Sequence, residues 1–190
     1  KYKNKIHTVG HIVREKIFNY SKDDKKQDDF FTIVVLGGSQ GAQIFGLVIP
    51  KVIKRLTKLG HKIKIHHQCV MQQTDRIKKF YEHNKIENNV FSFSDNIEKY
   101  MHESDIAITR SGASTTAELI HTNTPFIAIP YPHATDNHQF FNAKYYVNKG
   151  YCWMIEQKKF DEENLFDLIL KILKDKKKLL SIANNMKKNT

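Results

Sequence analysis

Residues 31–42 read FTIVVLGGSQGA: six apolar or β-branched side chains, then Gly37, Gly38, Ser39, Gln40 and Gly41 before a helical pattern begins. A near-continuous apolar run of this kind marks a strand buried on both faces, the habit of parallel sheets. The glycines permit a tight turn and let backbone N–H groups come close to a ligand, and the following helix adds its positive end. Ser39 brings a hydroxyl that can donate to a phosphate oxygen. The spacing matches neither G-x-G-x-x-G nor G-x-x-x-x-G-K-[ST], which disfavours nicotinamide cofactors and ATP hydrolysis. Taken alone, the stretch reads equally well as a plain strand-to-helix turn.

Outward from this stretch, short β-branched runs alternate with amphipathic ones. Strands are predicted at 31–36, 62–67, 90–93, 106–109, 126–129 and 152–155, and helices at 43–59, 72–84, 96–103, 115–121 and 138–148, with two more at 161–174 and 176–188. In the first helix Phe45, Val48, Val52, Leu56 and Leu59 recur at three- and four-residue spacing, a core-facing stripe that Gly60 closes. Pro50 is expected to kink or shorten it. The repeated β-then-α order predicts an α/β fold, a Rossmann-like doubly wound parallel sheet. It occupies residues 30–190, preceded by an extension at 1–29 that holds a short strand-like piece and a polar linker. The last helix shows neither a cap nor a packing partner.

The chain has 190 residues, 40% of them hydrophobic, enough for one compact domain with a core. Lys and Arg number 31 against 20 Asp and Glu, a net charge of +11 that favours phosphorylated ligands, anionic membrane surfaces or nucleic acids. The lysines are scattered, as on a solvated surface, and no aromatic stacking face accompanies them, so nucleic acid is not the expected partner. The apolar runs are too short to span a bilayer, and no signal-peptide core follows the basic start. Cys69 and Cys152 sit in no paired motif, which predicts a reducing, cytoplasmic setting.

Two further stretches fall beyond predicted strands, where doubly wound sheets bind ligands. In DIAITRSGASTTAE, Arg110 follows a strand and can neutralise phosphate, Gly112 permits a turn, and Glu118 can accept from two adjacent ribose hydroxyls. Thr115 and Glu118 also have capping-box spacing, which competes with that reading. In PYPHATDNHQFFNA, Asp136 or Asn137 is placed to cap a helix whose first turn carries His138 and Gln139 toward the same rim. Gln139 suits sugar hydroxyls, although Asp136 and Gln139 too have capping-box spacing. His133 and His138 are spaced poorly for a metal, and His66 and His67 are strand neighbours that face opposite sides, so no metal site is expected. Together these stretches fit a sugar nucleotide.

GGSQGA, RSGASTTAEL and PYPHATDNHQFFNA, in this order and spacing, closely resemble the MurG family of glycosyltransferase family 28, bacterial enzymes that add N-acetylglucosamine to lipid I to give lipid II. The likeness runs from about Gly10 to Asn148 and corresponds to the carboxyl-terminal, donor-binding half of a two-domain GT-B enzyme. It implies that Ser39 and the backbone from Gly38 through Gln40 and Gly41 hold the UDP diphosphate, and that Arg110 lies beside the nucleotide. It further implies that Glu118 takes the ribose, that the turn FSDN around Ser94 meets the uracil edge, and that His138 and Gln139 meet the donor sugar. GHIVR resembles the family's G-N-P-V-R and makes Arg14 a diphosphate-side candidate, with His11 and Ile12 in place of Asn and Pro. The implied reaction is inverting, needs no metal or cofactor, and uses UDP-N-acetylglucosamine, a lipid I acceptor and the cytoplasmic membrane surface. The acceptor-binding half and the proposed base are not among these residues, so the chain alone is expected to bind donor without turnover. A free-standing donor-binding subunit, a sugar-nucleotide 2-epimerase and a basic nucleic-acid module are the alternative readings.

Overall fold

The computed structural model describes residues 13–20, 29–38 and 42–188. Six strands form one all-parallel sheet: β1 (Phe31–Leu36), β2 (Ile63–Gln68), β3 (Glu87–Phe91), β4 (Ile106–Thr109), β5 (Phe126–Ala128) and β6 (Cys152–Met154). Their order is β3-β2-β1-β4-β5-β6, and both neighbours of β1 run parallel to it. This is the predicted doubly wound arrangement, with its change of direction between β1 and β4. Helices α1 (Gln43–Lys58), α2 (Thr74–His83), α3 (Ile97–Glu103), α4 (Ala113–His121) and α5 (His138–Asn148) follow the first five strands in turn. α6 (Glu162–Lys174) and α7 (Lys176–Lys188) close the described chain.

Alternation along β1 divides the core. Ile33 and Val35 face Phe45, Ile49, Ile53 and Leu56 of α1 together with Leu165 and Ile169 of α6. Val34 and Leu36 face Met101, Leu119 and Ala143 of α3, α4 and α5. Burial of both faces explains why β1 lacks polar alternation. β3 begins three residues earlier than expected because it is an edge strand, and Glu87, Asn88 and Asn89 disguise it.

Helix ends obey local chemistry. Asp161 accepts from the Asn164 N–H at 2.8 Å and caps α6, and Asp175 accepts from the Lys178 N–H at 3.0 Å to start α7. α7 has the packing partner the sequence did not reveal: it lies on α4 and α6, with Leu179 and Met186 buried. Gly60, at φ +89°, closes α1 as expected, while Leu59 falls just past the helix and is 60% exposed rather than in the core stripe. Pro50 does not shorten α1. It lacks the N–H that would bond Gly46 four residues back, and Arg76 of α2 donates to the Gly46 carbonyl at 3.4 Å instead.

The strand-like piece of the extension lies largely outside the described residues; what is described there holds a single 3-10 turn, Glu15–Asn19. Ile17 buries against the α3–α4 side of the core, and His102 hydrogen-bonds the Ile17 carbonyl at 2.9 Å. Tertiary contact, and not an apolar pattern of its own, fixes this segment. Gly10, His11 and Ile12 lie outside the described residues.

Candidate functional site

The carboxyl ends of β1, β2, β4 and β5 open into a cleft of about 950 Å³. Gly37, Gly38, Arg110, Tyr131, Gln139 and Gln157 line it, with the first turns of α1 and α4. Ser39, Gln40 and Gly41 lie outside the described residues. Gly38 takes φ +80°, a left-handed conformation that favours glycine at this turn.

Two helices point their N-termini into the cleft. Ala42, Gln43 and Ile44 of α1 line one wall, and Gly112, Ala113, Ser114 and Thr115 of α4 line another. Among the described residues neither helix has a side-chain cap: Ala42 and Gly112 stand at the N-cap positions. Uncapped first turns leave N–H groups and the positive end of the dipole facing the space. Thr115 and Glu118 form no capping box: Thr115 is already inside α4, and Glu118 is bonded elsewhere.

Arg110 adds a full charge between those helices. Its Nη1 donates to the carbonyls of Ile129 and Pro130 at 3.0 and 3.3 Å, and its Nη2 to Gln157 Oε1 at 2.6 Å. The guanidinium packs between the rings of Phe45 and Tyr131, 5.0 and 5.3 Å from their centroids. These partners hold its position without neutralising it. Burial pulls its pKa below the ordinary arginine value, partly offset by the Tyr131 phenol. None of the described residues lining the cleft is Asp or Glu. The cleft therefore favours an anion through one fixed cation and two helix ends.

Gln139 reaches the cleft as expected, but by a route the sequence did not suggest. Asp136 and Asn137 both take left-handed backbone, φ 50° and 55°, and Asn137 makes no side-chain cap. Gln139 Oε1 instead accepts from the Tyr131 N–H at 3.0 Å, and its carbonyl accepts from Ser111 Oγ at 2.7 Å. That leaves its amide N–H groups for the cleft. His138 does not share the rim: it is exposed, with Nδ1 2.8 Å from the carbonyl of Thr135. Ser94 is half-buried outside the lining, and its Oγ accepts from the Asn96 N–H at 3.1 Å at the start of α3.

Glu118 lies one turn beyond Ser114 and Thr115, 5% exposed and outside the lining. Arg14 grips both its oxygens, from Nε at 2.6 Å and from Nη2 at 2.8 Å, which raises the arginine pKa chiefly through that hydrogen bonding. Arg14 thus faces Glu118 rather than the cleft. Gln157 and Glu98, a second partner of Arg14, were missed by the sequence reading. Only the position of Gln157 just beyond β6 marked it as a candidate for this rim.

The Glycosyltransferase family 28 C-terminal domain matches residues 32–190. A UDP-N-acetylglucosamine–N-acetylmuramyl-(pentapeptide) pyrophosphoryl-undecaprenol N-acetylglucosamine transferase of Pelagibacter ubique is 40% identical over 187 residues, covering 98% of this chain and 52% of that protein. The enzyme of the same name in Rickettsia felis is 36% identical over 195 residues, covering 98% and 54%. The crystal structure of Acinetobacter baumannii MurG superposes with a TM-score of 0.79 at 26% identity, across 97% of this chain and 53% of that one. The chain spans about half the length of these relatives. With the domain matched over most of its length, the chain belongs to glycosyltransferase family 28 and carries the C-terminal domain of that family.

Proposed function

We propose that this chain is the donor-binding half of an N-acetylglucosaminyltransferase that moves N-acetylglucosamine from its UDP conjugate to lipid I, the undecaprenyl-diphosphate-linked muramyl pentapeptide. The observation that carries the reading is the meeting of two helix N-termini with Arg110 in a cleft whose described lining holds no carboxylate. The names of the relatives select the donor and acceptor.

In this reading the diphosphate spans the first turns of α1 and α4 beside Arg110, and Ser39, Gln40 and Gly41, outside the described residues, help to hold it. The acceptor hydroxyl forms a bond to the anomeric carbon as the bond from that carbon to the phosphate oxygen breaks, and UDP departs with the electron pair. Negative charge grows on the diphosphate, where fixed dipoles and a fixed cation stabilise it without reorganising. Gln139 offers its amide to the sugar, Glu118 accepts from the ribose hydroxyls, and the turn bearing Ser94 meets the base. His138 and Arg14 approach the ligand only by leaving the contacts described above. The base that takes the acceptor's proton, and the contacts to lipid and membrane surface, belong to the half of the relatives with which this chain does not align. No helix among the described residues is long and apolar enough to cross a membrane.

Calorimetric titration tests the reading. The chain is expected to bind UDP-N-acetylglucosamine and UDP, to prefer the former over UDP-glucose, and to leave the donor intact. Absence of binding to both sugar nucleotides by folded protein would refute it.

A further inference from the structure

Next to the cleft, one cation serves two buried carboxylates. Arg14 forks onto Glu118 through Nε and Nη2, and its remaining arm, Nη1, forms an ion pair with Glu98 Oε1 at 2.8 Å. Glu98 is 2% exposed and sits in the first turn of α3, directly after the turn containing Ser94. Buried carboxylates are costly unless paired, so retention of a second one here calls for a reason.

Geometry supplies it. Arg14 is the only side chain seen donating to Glu118 among the described residues, so the direction of that carboxylate depends on where Arg14 is held. Arg14 itself rises from the short 3-10 segment and is about half exposed, with a side-chain exposure of 47%. A guanidinium bound by one fork can still swing with its partner, whereas a close charge on another element restrains it. Glu98 provides that charge from α3. The three residues therefore tie the junction segment, α3 and α4 together at the place where α3 and α4 flank the nucleoside end of the proposed site.

We propose that Glu98 is a positioning residue: it pins Arg14, and through Arg14 it aims Glu118 at the ribose hydroxyls of the bound nucleotide. The proposal rests on the reading of Glu118 as the ribose acceptor. Each Glu118 oxygen keeps a further lone pair beyond the one given to Arg14, so the ribose adds to the trio and does not displace the arginine.

The test compares UDP with 2′-deoxy-UDP by calorimetry on the whole 190-residue chain and its variants. The unaltered chain is expected to prefer UDP by about tenfold or more, the scale of one hydrogen bond to a charged acceptor. In Glu98→Ala the preference is expected to fall toward unity while affinity for the deoxynucleotide stays within about twofold. Glu98→Asp, which keeps a carboxylate on the side of Arg14, is expected to retain more of the preference than Glu98→Ala does. Arg14→Lys keeps the charge but has no fork, and is expected to lose the preference as Glu98→Ala does, giving a second reading should the alanine variant fail to fold. A preference that survives in folded Glu98→Ala, or in Arg14→Lys, overturns the role of Glu98 and leaves the donor-binding reading standing. Equal affinities in the unaltered chain overturn the ribose role of Glu118 and this proposal with it.

Discussion

Replacing Arg110 by methionine removes a charge that no described residue of the cleft neutralises while keeping most of the side-chain volume between Phe45 and Tyr131. A phosphate charge about 5 Å from a guanidinium interacts with it by about 3 kcal/mol at an effective dielectric constant near 20. That energy corresponds to a loss of roughly 100-fold in affinity for UDP. Uridine carries no phosphate and is expected to bind Arg110→Met about as it binds the unaltered chain. The substitution also strips the Ile129 and Pro130 carbonyls and Gln157 of a donor, so stability falls by about 1–3 kcal/mol and must be followed separately by urea denaturation. Calorimetric titration with UDP, UMP and uridine at two ionic strengths separates these effects, because the phosphate contribution alone weakens with salt. If folded Arg110→Met bound UDP as tightly as before, or lost uridine and UDP equally, Arg110 would not face the phosphates and the electrostatic account of the cleft would be wrong.

Two buried histidines give the chain a pH-dependent stability. Burial lowers His66 to a pKa of about 4, with Lys64 and Lys99 adding to the effect, and lowers His67 to about 3. Both are neutral when folded and take up a proton on unfolding, so their contribution is present above about pH 6.5 and is lost progressively toward pH 4 and pH 3. At pH 5 each costs about 2 kcal/mol relative to neutral pH; urea midpoints at pH 7 and pH 5 measure the loss, and His67→Gln, which can still bond Tyr81, should halve it. An unchanged midpoint would show that these rings are protonated in the fold. Asp161→Ala removes the cap of α6 and is expected to cost about 1 kcal/mol, a drop of roughly 2–4 °C in Tm, read by thermal denaturation. No drop would mean that the last helices melt independently of the sheet.

Continuous apolar runs made most of the sheet legible in the sequence. β1 and β4 are buried on both faces, so their patterns survive without context, and the α/β alternation then fixes the topology and the rim where a ligand sits. β3 was blurred because an edge strand tolerates Asn and Glu on its open side. The turn at Glu15–Asn19 had no local signal because its packing against α3 and α4 determines it. At the cleft, the sequence pointed to Arg110 because it directly follows a strand, and to Gln139 because it falls in the first turn of the helix after one; each carries the donors an anion or sugar needs. Their holders were hidden: Ser111 and Tyr131 position Gln139, and Gln157 positions Arg110, across sequence distances no local pattern records. Glu118 shows the same limit. Its helical spacing suggested a cap, and only the distant Arg14 decides where its carboxylate points.

The proline in α1 has a consequence for how the cleft comes to exist. A helix that gives up one of its own internal donors and borrows a replacement from Arg76 on its neighbour cannot be completed alone; its mid-section is secured only once α2 has docked. Since the leading turn of that same helix forms one wall of the ligand space, the pocket is assembled by cooperation between two successive β–α units rather than carried ready-made by the glycine turn. Amide protons around Gly46 should therefore exchange in step with those of α2, and loosening α2 should blunt nucleotide capture from the far side of the helix.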